Sequence, residues 1–175
     1  MLLADLVQQN GYLSLPFHRV YFKDSTVHME TLPNSRFKIP LGIRLSYFAG
    51  DKIIIRVYYR FYHDDWGINA HTAEVELALK ITPFFSISPF YRFYNQTATI
   101  YFAPYRRHDY NDDYYTSNYD FSTFNSNFFG AGLQLKPPKG VFGNKHFSTL
   151  ALRYGHYEKS VQLNSDIISL NLGFK

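Results

Sequence analysis

The hydrophobic patterning predicts an all-β fold: an antiparallel up-and-down transmembrane β-barrel of about eight strands, standing alone or forming part of a larger barrel. Three observations carry this expectation. Apolar and polar residues alternate with period two through most of the chain. From Lys52 to Tyr62, for example, Ile55, Val57, Tyr59 and Phe61 take one face, and Arg56, Tyr58, Arg60 and Tyr62 the other. Aromatic residues make up 19% of the chain, with Tyr 16 and Phe 17, a surplus suited to rings that settle at two membrane interfaces. The connections also sort by length. If the C-terminus lies in the periplasm, the short turns 49–51 and 82–84 and the turn 137–145 face inward. The segments 10–35, 63–67, 103–123 and 160–165 then face outward, so both long connections share one side.

Taken in order, residues 2–9 read as a first candidate strand and 10–35 as a long connection carrying Gly11, Pro16, Pro33 and Asn34. Lys38 to Phe48 is a second strand, with Leu41, Ile43, Leu45 and Tyr47 opposite Pro40, Gly42, Arg44 and Ser46. A short turn centred on Gly50 leads to the strand Lys52–Tyr62. Beyond the tip His63 to Gly67, the partner strand sets Ala73, Val75, Leu77, Leu79 and Ile81 against Thr72, Glu74, Glu76, Ala78 and Lys80. The fifth strand is expected over 85–102, weakened at Pro89, which cannot donate to a ladder. Residues 103–123 lack alternation and read as a polar loop. Asn125–Lys136, His146–Glu158 and Asp166–Lys175 complete the set. Leu77, Leu79, Leu133, Leu152, Leu170 and Leu172 fall in the apolar registers and are expected to face lipid.

The composition narrows the classes of function. No run of about 18 apolar residues occurs, which excludes a transmembrane helix. Cysteine is absent, so disulfides and thiolate metal sites are excluded. The net charge of +4 is dispersed and offers no basic footprint for nucleic acid. Met1 to Gln9 has no basic region and is interrupted by Asp5, so it is not read as a secretion signal; the expectation is a piece of a longer chain.

The charged registers point to a ladder on the lumen side made of Arg56, Arg60, Glu74, Glu76, Lys80 and Arg92. Counting from a tip centred on Trp66 sets Arg56 opposite Glu76, and counting from a turn centred on Pro83 sets Glu74 opposite Arg92. Its expected role is structural, with a selectivity lining for a solute as the alternative. His63, Asp64, Asp65 and His71 are weighed as metal ligands at a strand tip. The competing reading is a plain hairpin tip with Trp66 as an interface anchor. Asp109, Asn111, Asp112 and Asp113 are weighed as a calcium loop against a solvated acidic loop that has no glycine for a tight turn. Asn95-Gln-Thr97 matches a glycosylation sequon by chance, and no Gly-x-Ser-x-Gly elbow occurs.

Four stretches together, Gly11-Tyr-Leu-Ser-Leu-Pro-Phe-His-Arg-Val-Tyr-Phe22, Glu30-Thr-Leu-Pro-Asn-Ser-Arg36, Tyr59-Arg-Phe-Tyr-His-Asp-Asp-Trp-Gly-Ile-Asn-Ala-His-Thr-Ala-Glu74 and Tyr91-Arg-Phe-Tyr-Asn-Gln96, resemble an uncharacterised outer-membrane β-barrel family of Gram-negative bacteria. The family's members are longer, so the resemblance implies the C-terminal half of such a barrel and carries over no activity or catalytic residue. The resulting expectation is a non-enzymatic protein of the bacterial outer membrane, without cofactor, acting as channel, receptor or scaffold. Its partners would be lipid and the barrel-assembly machinery, which would read the final strand with Phe174 next to its end. The alternatives are a soluble antiparallel barrel that binds an apolar ligand, and a membrane-embedded hydrolase.

Overall fold

A computed structural model describes residues 1–174. Its strands are β1 (Leu2–Ala4), β2 (Val7–Asn10), β3 (Arg19–Tyr21), β4 (Val27–Met29), β5 (Ser35–Ala49), β6 (Ile53–Asp64), β7 (Asn69–Thr82), β8 (Phe85–Gln96), β9 (Phe124–Leu135), β10 (Phe147–Lys159) and β11 (Leu163–Phe174). Helix among the described residues is limited to two 3-10 turns, Tyr119–Phe121 and Val141–Gly143. One antiparallel sheet runs β1-β5-β6-β7-β8-β9-β10-β11, with β2 also on β5, while β3 and β4 form a separate hairpin. The order is open: β11 bonds to β10, and β1 and β2 bond to β5. The final strand was expected to run to Lys175, which lies outside the described residues.

Proline explains two irregularities in the ladders. Leu2 pairs with Ile43 and Val7 with Lys38, so β1 and β2 keep one register against β5 and are a single strand broken at Asp5 and Leu6. Opposite the break is Pro40, which has no N–H to give and only accepts, from the Asp5 amide at 3.1 Å. In the same way β7 and β8 pair up to Glu76 with Phe90 and resume at Leu79 with Ile87, leaving a gap opposite Ser88 and Pro89.

The two faces of the sheet differ sharply in polarity. On one face Leu45, Val57, Val75, Leu133, Leu152, Leu170 and Leu172 are exposed, Leu170 at 62% and Ile168 at 72%. The other face carries Arg56, Glu74, Glu76, Arg92 and Arg153. The sheet is strongly curved toward that charged face. Arg153 on β10 and Glu76 on β7 are separated by two strands and would stand about 14 Å apart on a flat sheet, yet Nη1 of Arg153 donates to Oε2 of Glu76 at 3.0 Å. The charged face is therefore concave and the apolar face convex.

The tightly packed apolar residues lie elsewhere, mostly at one end. The segment 10–35, read from the sequence as a long connection, folds β3 and β4 into a hairpin that packs on residues 101–116 through bridges between Phe22 and His108 and between Thr31 and Tyr115. Val20, Phe22 and Leu32 are buried there with Thr116 and His108. Phe22 meets Tyr115 edge to face, with ring centroids 4.8 Å apart. Residues 97–102, expected to extend the fifth strand, instead turn away after Gln96 and join this cap. Ile100 N–H donates to Trp66 O at 3.0 Å, and Thr99 Oγ1 donates to the same oxygen at 2.7 Å. At the opposite end the turns are short, except for 136–146, which buries Val141.

Candidate functional site

The concave face carries two ion-pair clusters built by strand register. Arg56 lies opposite Glu76, and Glu74 lies opposite Arg92, the partners that counting from the two turns predicts. Nη1 of Arg56 donates to Glu76 at 2.5 Å, and Nε of Arg92 donates to Glu74 at 2.6 Å. Arg153 completes a triad on Glu76 and lies 3.7 Å over the ring of Phe90. Its place in the charged register of its strand was legible, but its partner depends on the curvature of the whole sheet, which no hairpin count supplies. Lys80 sits at the short-turn end, in a shallow cleft with Gln134 and Lys136.

The junction between sheet and cap is organised by Asp64. This carboxylate is buried and accepts from the Trp66 N–H at 3.1 Å, the Ile68 N–H at 3.0 Å, the Tyr62 hydroxyl at 2.7 Å and Nε of Arg36 at 2.9 Å. Arg36 lies 4.5 Å over the Trp66 ring, and Nε1 of Trp66 donates to Ser35 O at 3.0 Å. Gly67, at φ +86°, closes the tip. Gln96 ties the cap down by donating to Asp120 O and Ser122 O at 2.9 and 2.8 Å. Within the cap, Glu30 is 2% exposed and accepts from Thr116 Oγ1 and Leu15 N–H, both at 2.5 Å. Burial at the edge of the Trp66 ring pushes the Tyr101 hydroxyl up from its ordinary value, and the Asp65 carboxylate adds to the shift. On the exposed cap surface, the Thr26 hydroxyl and N–H hold the Asp24 carboxyl below the usual carboxylate range.

Three expectations about this end are corrected. The metal grouping of His63, Asp64, Asp65 and His71 does not form, because alternation turns His63 and His71 away from Asp64. His63 Nδ1 bonds to Asn69 at 2.8 Å, His71 Nδ1 to the Tyr59 hydroxyl at 2.7 Å, and Asp65 accepts from the Phe37 N–H at 3.0 Å. The calcium grouping of Asp109, Asn111, Asp112 and Asp113 disperses likewise. Asp109 pairs with Lys23 at 2.6 Å, and Asp112 accepts from the Asp109 N–H at 3.0 Å and contacts His108 at 3.2 Å. Among the described residues no three His, Asp or Glu side chains gather to hold a metal. Trp66 is no interface anchor: it is 2% exposed, at the root of the cap.

Between ladder and cap the concave face opens into a cleft of about 510 Å³ lined by Tyr58, Arg60, Arg92, Tyr94, Tyr157 and Lys159, among others. A neighbouring cleft of about 250 Å³ shares Arg60 and reaches Arg36 and Phe121. A third, of about 400 Å³, lies on the far side of Phe90 and Phe128 and is lined by Arg56, Glu76 and Arg153. No curated protein and no solved structure matches the chain. One family does, over residues 3–173, and the chain belongs to it: the family described as "Protein of unknown function (DUF3570)".

Proposed function

We propose that this chain forms the wall of a β-barrel in the bacterial outer membrane and acts there without catalysis, as a channel, receptor or scaffold. The single observation that carries the reading is the reversed polarity of the sheet, with exposed Leu and Ile on the convex face and ion pairs on the concave one. In water so large an apolar surface costs free energy; against lipid it is satisfied, and the charges remain in an aqueous interior. β6, β7 and β8, of 12, 14 and 12 residues, exceed the roughly 9–11 needed to cross at a tilt. The long connections meet in the cap at one end, the side that faces outward in this reading. Unpaired edges are costly in lipid, so β11 and β1 would bond further strands to close the wall. The last strand, with Phe174 on its apolar face, is the segment offered to the barrel-assembly machinery.

Fractionation tests the proposal. The protein should sediment with membranes, resist carbonate extraction and enter detergent micelles as a folded species whose gel mobility changes on boiling. Recovery of the folded chain in the soluble fraction without detergent would overturn it in favour of a water-soluble antiparallel sheet protein.

A further inference from the structure

The ladder breaks its own pattern at one rung. Arg56 faces Glu76 and Arg92 faces Glu74, but Arg60 faces Thr72, whose other neighbour across the sheet is Tyr94. No carboxylate therefore stands beside Arg60 in either direction. The remaining cations of the two clefts that meet at Arg60 are neutralised: Arg92 by Glu74 at 2.6 Å, Lys159 by Asp120 at 2.7 Å, and Arg36 by Asp64. Among the described residues that line these clefts, Arg60 is the one cation without an ion-pair partner. Its guanidinium lies over the Tyr62 ring, 5.9 Å from the centroid.

The surroundings have the makeup of a small-molecule site. The cleft of about 510 Å³ falls inside the range of roughly 300–1,000 Å³ that such sites occupy. Tyr58, Tyr94 and Tyr157 offer flat faces for stacking, and Thr72 and Ser126 add hydroxyl groups that donate or accept. Lys159, its side chain 9% exposed, holds the cap residue Asp120 over one side and lies 3.9 Å above the Phe124 ring. A planar guanidinium free of carboxylate presents a fork that matches a carboxylate or a phosphate with two parallel hydrogen bonds.

We infer that Arg60, with Tyr58, Thr72, Tyr94 and Tyr157, forms a binding site for a small anionic sugar, a hydroxylated ring bearing one carboxylate or phosphate. The oxyanion sits on Arg60, the ring lies against the tyrosines, and the cap covers it from the Asp120 side. The site needs only the concave face and its cap, so it stands whether that face lines a barrel lumen or a water-soluble cleft.

Calorimetric titration of the full chain, in micelles or, if it proves soluble, in buffer, tests this with D-glucuronate, glucose 6-phosphate and neutral D-glucose. At least one anionic sugar should bind saturably and at least tenfold tighter than glucose, and added salt should weaken it. Arg60→Gln should lower that affinity at least tenfold. Thr72→Asp leaves the arginine in place but supplies the carboxylate the rung lacks, and it should do the same, while Arg60→Lys retains part of the binding. Circular dichroism and the melting midpoint confirm that each variant keeps the sheet. Glucose binding as tightly as the anionic sugars, an affinity unchanged in both Arg60→Gln and Thr72→Asp, or no binding of any of the three sugars overturns the site. None of these results bears on membrane insertion, which fractionation decides separately.

Discussion

Arg153 and Glu76 join β10 to β7 across two strands, at 3.0 Å, and Arg56 holds the other oxygen of the same carboxylate at 2.5 Å. The sheet's curvature is thereby locked by a carboxylate that serves two guanidinium groups. With its side chain 13% exposed, Glu76 is withdrawn from water, so removing it strands two cations. Glu76→Gln should destabilise the folded protein by about 2–3 kcal/mol, more than Arg56→Gln, measured as a fall in the denaturant midpoint. Equal effects of the two changes would deny the triad.

Glu74 and Arg92 form a simpler pair whose arginine is 45% exposed. A double-mutant cycle with Glu74→Gln and Arg92→Gln should give a coupling energy of about 1 kcal/mol, between the values for open and buried pairs. Additive effects would show that the two side chains do not interact.

Asp64 holds the root of the cap, and its loss leaves the Arg36 charge and the Trp66 and Ile68 amides without their acceptor. Asp64→Ala should cost about 3–5 kcal/mol and shift the emission of Trp66, the chain's 1 tryptophan, to the red as the cap loosens. An unchanged emission maximum would separate the cap from this network.

Tyr101 is expected to give the cap an alkaline limit. Its folded-state value is raised above the ordinary 10.0 by burial, so the neutral form is favoured in the fold. Its stabilising contribution is then complete below the unfolded value and is lost as pH rises through the folded one. In an alkaline titration, the emission of Trp66 should change as Tyr101 ionises, later than the bulk of the tyrosinate absorbance. Tyr101→Phe should remove that change in emission.

Leu170 and Ser169 are neighbours on opposite faces of β11, with Ser169 paired to Arg153 and Leu170 to Leu152. In the membrane reading, Leu170→Arg should cost about 2–4 kcal/mol near the bilayer midplane, and Ser169→Arg far less. Folding yields in lipid vesicles measure the contrast, and equal yields would count against a lipid-facing convex surface.

The strands were legible because alternation and turn chemistry are local. Ile55 and Val57 against Arg56 and Tyr58 place β6, and counting from Trp66 and Pro83 is enough to find the partners of Arg56 and Glu74. What depends on the path of the whole sheet was not legible. Arg153 needs the curvature, and Glu30 with Thr116 needs two distant loops to meet. Trp66 reads as an interface ring until the cap is present to bury it, and the acidic residues 109–113 read as a ligand cluster until Lys23 arrives from elsewhere to engage Asp109 and the adjacent His108 meets Asp112. Pro40 shows the intermediate case: its lack of an N–H is visible in the chain, but the pairing of residues 2–9 against it is not.

The contact between Glu30 and Thr116 spans 86 residues of sequence, whereas every long strand of the meander bonds to the one just before or after it. Those two kinds of contact set an order of events. Neighbouring strands zip through short turns at little entropic cost, but joining residue 30 to residue 116 in an unfolded chain closes a long loop. Once β5 to β8 are paired, the same two segments are carried to one rim and the remaining search is short. The cap is thus the last part to gain structure and the first to release it, so a protease added during refolding would cut between residues 103 and 123 well after the strands have become resistant.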